Sequence, residues 1–167
     1  MAKVELAAPI AVPPEHVFAF FAPQRMPYWY GAEMSSCFEV QDGAADFSVG
    51  LKVRISGQLG SQTVSHTAVV TGYEYARLLE WRFQDRYSVR GLERWQLDRV
   101  PGATDSPTDS TSDSTMLRFV SQYEFPGQLG RLMDWLWTRR AVAQRNRDYL
   151  ERLARLAEQR PSRQDRA

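Results

Sequence analysis

The sequence has little with which to hold a metal or close a disulfide. One cysteine, Cys37, and two histidines, His16 and His66, stand in 167 residues. A lone cysteine allows no internal bridge and fits a reducing compartment, and so small a set leaves almost no room for a conventional zinc site. Net charge is also nearly absent, at +1, so nothing in the composition argues for a nucleic-acid partner. No run approaches the ~20 apolar residues a membrane span needs. The apolar run Leu6 to Val12 is short, carries Pro9 and follows Glu5 rather than a basic stretch, unlike a signal peptide. Phosphate-cradling loops of the GxxxxGK[ST] and GxGxxG kinds are missing. These absences set the default expectation: a soluble cytoplasmic protein without cofactor, metal, nucleic acid or integral membrane insertion. Of 21 basic residues only Lys3 and Lys52 are lysines, a bias that reads first as genome composition, with structural use of guanidinium pairing as the alternative.

What is present is apolar and aromatic. Hydrophobic residues are 43% and aromatic residues 12%, which excludes a disordered or collagen-like chain. A chain of this length buries roughly two-thirds of its unfolded surface and folds without staples. The expected organisation is one domain over residues 1–160 and a disordered tail over 161–167. The stretch 101–115, PGATDSPTDSTSDST, reads as a flexible loop insertion within the domain.

Residues 3–12 read as a strand, with Pro9 suggesting an edge or a bulge. Pro13-Pro14-Glu15 then opens a short helix, since a proline in the first turn loses no bond and Glu15 complements the dipole. Pro23 and Pro27 break it, leaving a second short turn over 26–30. From residue 35 the apolar period becomes two, predicting strands near 37–40 and over 47–56, 63–75, 78–86, 91–100 and 116–125. The inward face of 63–75 is ambiguous: Ser65, Thr67 and Val69, or His66, Ala68 and Val70. After Pro126-Gly127 a helix is expected from about Gln128 to Gln159, with Asp148–Arg152 and Glu151–Arg155 as i,i+4 pairs on its outer side. The arginines Arg139, Arg140, Arg145 and Arg147 read as a solvated face. Strands joined by short turns give an antiparallel sheet. Only the last helix is long enough to cover its apolar face.

Four segments resemble, in order, those of the SRPBCC (START-like, helix-grip) superfamily, in its polyketide cyclase/dehydrase and lipid-transport branch. Ile10 to Phe21 looks like that family's opening strand and proline-led helix, and Met26-Pro27-Tyr28-Trp29 its following Leu-Pro-x-Trp. Val69 to Arg82 is similar to its strand–turn–strand, with Tyr75-Ala76 where Pro-Pro is usual. Tyr123 to Asp134 resembles the entry to its last helix. The resemblance covers residues 4 to about 158. It implies an α+β helix-grip fold: a curved antiparallel sheet wrapped around a long C-terminal helix, with two short helices after the first strand.

Assigning the apolar face of each strand to the interior gives a candidate ligand wall. From the strands it comprises Phe38, Phe47, Val49, Leu51, Trp81, Phe83, Trp95, Phe119 and Ser121. Trp29 joins it from the second short turn, and Leu132, Leu136 and Asn146 from the helix. Such a wall suits a flat or elongated apolar molecule, unless the side chains fill the core solidly. Glu93 shares the face of Trp95 and is the sharpest candidate general acid or base, the plain alternative being a rim glutamate paired with an arginine. Tyr123, with Ser121, is placed to polarise a carbonyl or to satisfy its hydroxyl on backbone or water. His66 is an acid/base candidate only if its strand turns it inward. The expected function is binding or transport of a small hydrophobic molecule (lipid, isoprenoid or polyketide-like) in an internal cavity. A cofactor-independent cyclase/dehydratase is the enzymatic alternative. The third is a protein-partner module of the quinone-chaperone or toxin–antitoxin kind, as other branches of the superfamily suggest.

Overall fold

The structure is a computed structural model that describes residues 2–59, 62–85, 88–101, 113–124, 126 and 139–159. Strand β1 (Ala2–Ile10) leads into α1 (Pro14–Phe18), with Pro14 in the first helical position, and then into three one-turn 3-10 segments, Ala19–Phe21, Met26–Tyr28 and Ala32–Met34. Six strands follow: β2 (Cys37–Val40), β3 (Lys52–Leu59), β4 (Gln62–Glu74), β5 (Leu78–Asp85), β6 (Arg90–Val100) and β7 (Ser114–Glu124). A long helix, α2 (Arg139–Glu158), completes the described chain. All seven strands form one antiparallel sheet in the order β1-β7-β6-β5-β4-β3-β2. This is the helix-grip arrangement, with the short helices after the first strand. The loop expected over 101–115 lies outside the described residues except at its ends, where Asp113 pairs with Arg99 and β7 begins at Ser114. The tail expected over 161–167 also lies outside them.

Alternation decides which side chains reach the core. Along β7, Leu117, Phe119, Ser121 and Tyr123 are buried while Arg118 is exposed. Glu93, Trp95 and Leu97 do the same on β6. On β4 the inward set is His66, Ala68 and Val70, in register with Asp85, Phe83 and Trp81 of β5. A bulge between Val70 and Gly72 inserts Thr71, so the parity flips and Tyr73 falls opposite Leu79. That extra residue is why strict period two left the strand's face open. Thr71 is used elsewhere: its hydroxyl donates to Glu80 Oε1 at 2.7 Å, and Arg94 closes on the same carboxylate from β6.

Two expectations need correction. The strand foreseen over 47–56 begins only at Lys52, because Leu51 N–H turns back to Ser48 C=O and Gly50 takes a positive φ of 88°. Phe47 is still buried, but Val49 is 65% exposed and is not a wall residue. The expected i,i+4 partner of Asp148 is also engaged elsewhere: Arg152 pairs with Glu33 of the third 3-10 turn at 2.8 Å, and Asp148 accepts from Gln144.

The core is one aromatic cluster capped by the helix. Phe21, Trp29, Trp81, Trp95 and Phe119 are each at most 1% exposed, and Tyr149, Leu150, Leu153 and Ala157 of α2 close over them. Trp81 and Trp95 meet edge-on at 4.6 Å between ring centroids, and Phe21 meets Trp29 at 5.1 Å. Truncating any of these rings to alanine would cost about 3–5 kcal/mol, a large share of a domain's stability.

Backbone and ring approach closely at Gly91. A Cβ there would stand 2.3 Å from the Gln122 carbonyl oxygen and 2.5 Å from the Phe83 ring. Gly91→Ala should therefore force β6 and β7 apart or eject the Phe83 ring, at about 1–3 kcal/mol. Urea unfolding monitored by circular dichroism checks this, with a lower midpoint as the expected result.

Candidate functional site

The inward face of the sheet has two regions of different chemistry. One surrounds Glu93, which is 3% exposed. Its Oε2 accepts two hydrogen bonds, from the Tyr30 hydroxyl at 2.7 Å and from Trp81 Nε1 at 3.1 Å. Of the two outcomes open in the sequence, the rim glutamate paired with an arginine is not what forms; the carboxylate is interior and held by two aromatic donors. Burial raises its pKa above the usual carboxylate value, opposed by the Tyr30 bond, by the charge of Arg145 and by the Trp81 bond. Tyr30 is raised well above its ordinary range, first by burial and then by the facing carboxylate, so it keeps its proton and donates.

Tyr30 reaches this position through tight local geometry. Gly31 has a φ of +66°, and a Cβ there would lie 3.0 Å from the Met34 side chain and 3.1 Å from Ser36. The turn sends Tyr30 inward onto Trp81 at 5.6 Å and Tyr149 at 5.0 Å between ring centroids. It sends Glu33 the other way, to accept from the Tyr149 hydroxyl at 2.9 Å and from Arg152 at 2.8 Å. One short segment thus bridges the sheet through Tyr30 and the helix through Glu33.

Around this carboxylate the structure gathers many of the residues singled out in the sequence. Phe38, Phe47, Trp81, Trp95, Phe119 and Trp29 form a continuous chain of ring contacts through Tyr30. Ser121 is buried directly across from Glu93 in the β6–β7 register. Leu51 is only half-buried, and Leu132 and Leu136 lie outside the described residues. Tyr30, Tyr149 and Glu33 were not foreseen. Tyr30 sits next to the Trp29 that the sequence picked out, but only its left-handed neighbour Gly31 marks the turn that aims it, and spacing does not show that. Arg145, expected on a solvated face, is exposed, yet its guanidinium carbon lies 5.8 Å from the Tyr149 ring centroid and its charge reaches both Glu93 and His66.

The second region lies at the far end of the strands. His66, Phe83, Gly91 and Tyr123 face inward here, His66 5.4 Å from Phe83 between ring centroids. A recess of about 1190 Å³ lies mainly on the outer face of the sheet at this end, lined by side chains such as Arg54, Thr67, Arg82, Arg90, Gln122 and Glu124, and inward-facing His66, Phe83, Asp85 and Gly91 meet it only at its margin. Glu93, Tyr123 and Asn146 are not on its border. The buried carboxylate and the open space are therefore separate features joined by the β5–β7 wall. Asn146, on the inward side of α2, is fully buried. No group of three or more His, Cys, Asp or Glu able to hold a metal occurs among the described residues.

His66 Nε2 is buried without a hydrogen-bond partner. Burial lowers its pKa from 6.5 to about 4, with Arg145 repelling the imidazolium and Asp85 partly offsetting both. Its folded-state pKa lies below its unfolded one, so the stability it contributes is present above pH 6.5 and lost as pH falls towards 4. Chemical denaturation between those pH values should show the wild type weakening, and His66→Gln should flatten that part of the profile. A profile unchanged by His66→Gln would show that the imidazole ionises as freely as in the unfolded chain.

No functionally curated protein matches the chain. Solved structures do, at low identity. A protein from Chromobacterium violaceum, CV1439, shares 16% identity at a TM-score of 0.64, covering 96% of this chain and 100% of that one. A protein from Arthrobacter aurescens shares 14% at a TM-score of 0.67, covering 99% and 92%. DynU16, described as a putative protein in the dynemicin biosynthetic locus, shares 18% at a TM-score of 0.60, covering 93% of this chain and 47% of that one. These likenesses bear on the fold. A family profile described as polyketide cyclase / dehydrase and lipid transport matches residues 1–158, nearly the whole sequence, and the chain belongs to that family.

Proposed function

We propose that the protein binds a small hydrophobic molecule (lipid, isoprenoid or polyketide-like) against the inward face of its sheet, under α2, with entry past His66 and Phe83. The family supports a ligand of this class. The observation that carries the reading is the set of interior polar atoms left without hydrogen-bond partners, His66 Nε2 from the sheet and both amide atoms of Asn146 from α2, on an otherwise aromatic inward face. Aromatic rings with a few unpartnered polar atoms among them suit a molecule with an apolar body and a polar contact.

Glu93 favours a second, enzymatic reading. A carboxyl with a raised pKa, oriented by two fixed donors, is equipped to move a proton on a bound carbonyl compound, with Tyr123 and Ser121 alongside it on β7. The titration that makes a good acid/base also follows from structural burial, so binding is the reading put first.

Native mass spectrometry followed by organic extraction tests the first reading; an apolar molecule at near-stoichiometric level is expected. Phe83→Ala should weaken uptake of the neutral dye Nile red roughly tenfold, the scale of about 1.4 kcal/mol. Trp81→Ala is a poor probe because it also removes the Glu93 anchor. A protein that carries nothing and takes up no dye overturns the binding reading. Conversion of the extracted ligand by the wild type and its loss in Glu93→Gln, with the ligand still bound, would move the assignment to an enzyme.

A further inference from the structure

Asn146 stands out among the interior groups. It is 0% exposed, and neither its Oδ1 nor its Nδ2 has a hydrogen-bond partner. It lies on the same side of α2 as Tyr149, Leu150 and Leu153, all buried in the core. Tyr149, one turn on, meets Tyr30 at 5.0 Å between ring centroids, and Tyr30 donates to Glu93 of β6, which sets this part of the helix over the inward face beside Glu93. His66 Nε2, also buried and unpartnered, faces the same interior from the sheet.

A primary amide buried without partners is costly, because both its donor and its acceptor have given up water. Leucine has the same branched shape without the polar atoms, so it removes that cost, although its two methyls are bulkier than the amide. We infer that Asn146 reads the polar group of the bound molecule, and that this group presents a donor and an acceptor side by side: a carboxamide, an undissociated carboxylic acid, or an enol next to a carbonyl. A planar donor–acceptor pair satisfies both amide atoms at once, whereas a lone ketone or ether satisfies only Nδ2. The inference rests on the binding reading and sharpens it, from an apolar molecule to one with an apolar body and a hydrogen-bonding head of stated pattern. A site built to hydrogen-bond such a head discriminates strongly against analogues that leave its groups unpaired.

The test compares two probes of equal chain length, decanamide and decan-2-one, by displacement of Nile red. Decanamide is the more costly of the two to remove from water, so an apolar pocket alone favours the ketone. The wild type should bind decanamide at least tenfold more tightly, and Asn146→Leu should lose or reverse that preference. A wild type without preference for the amide, or the same preference in both proteins, overturns the inference while leaving the binding reading in place. If Nile red and both probes fail to bind the wild type, the binding reading falls and the inference with it.

Discussion

A buried carboxylate with two fixed donors governs this interior. Glu93 is held by Tyr30 from the connection between β1 and β2 and by Trp81 from the neighbouring strand. Removing one donor would leave a polar group in an apolar box, at a cost of about 1–3 kcal/mol, so the sheet and the connecting segment are tied where neither has strength of its own. The 3-10 turns are each three residues long and have no side-chain caps. They keep their shape because Tyr30 is pinned inside and Glu33 is engaged by α2. The aromatic floor, the seat of the helix and the position of the candidate site all follow from that double attachment.

Much of the fold was legible in the sequence because strand alternation and proline placement are local signals. Leu117, Phe119, Ser121 and Tyr123 are buried where period two put them, and Pro14 starts a helix for the reason a proline does. Where alternation failed, a backbone irregularity intervened. Val49 continues the apolar rhythm of Phe47 on paper, but the turn at Gly50 breaks the strand between them and β3. The bulge at Thr71 made the face of β4 unreadable.

The site was legible in part, and the division has a physical cause. Glu93 stood out because a charged residue on an apolar face is conspicuous in any alternating strand. Its partner Tyr30 was not, since the pair is 63 residues apart and depends on a left-handed glycine rather than on periodicity. Arg145 was read as solvated from its basic neighbours, and by exposure it is, but its charge acts inward across Tyr149. Long-range electrostatics of this kind leave no trace in spacing.

The two outermost strands also bear on how copies of the chain meet in solution. An open sheet presents unpaired amides along each margin, an invitation to strand addition and aggregation. Here β2 is only four residues long, too short to template a stable ribbon. The nine-residue β1 carries exposed Lys3 and Glu5 near one end, and Pro9 near the other deletes a donor. A protein with so much aromatic surface to hide thus has margins that offer other strands a poor foothold.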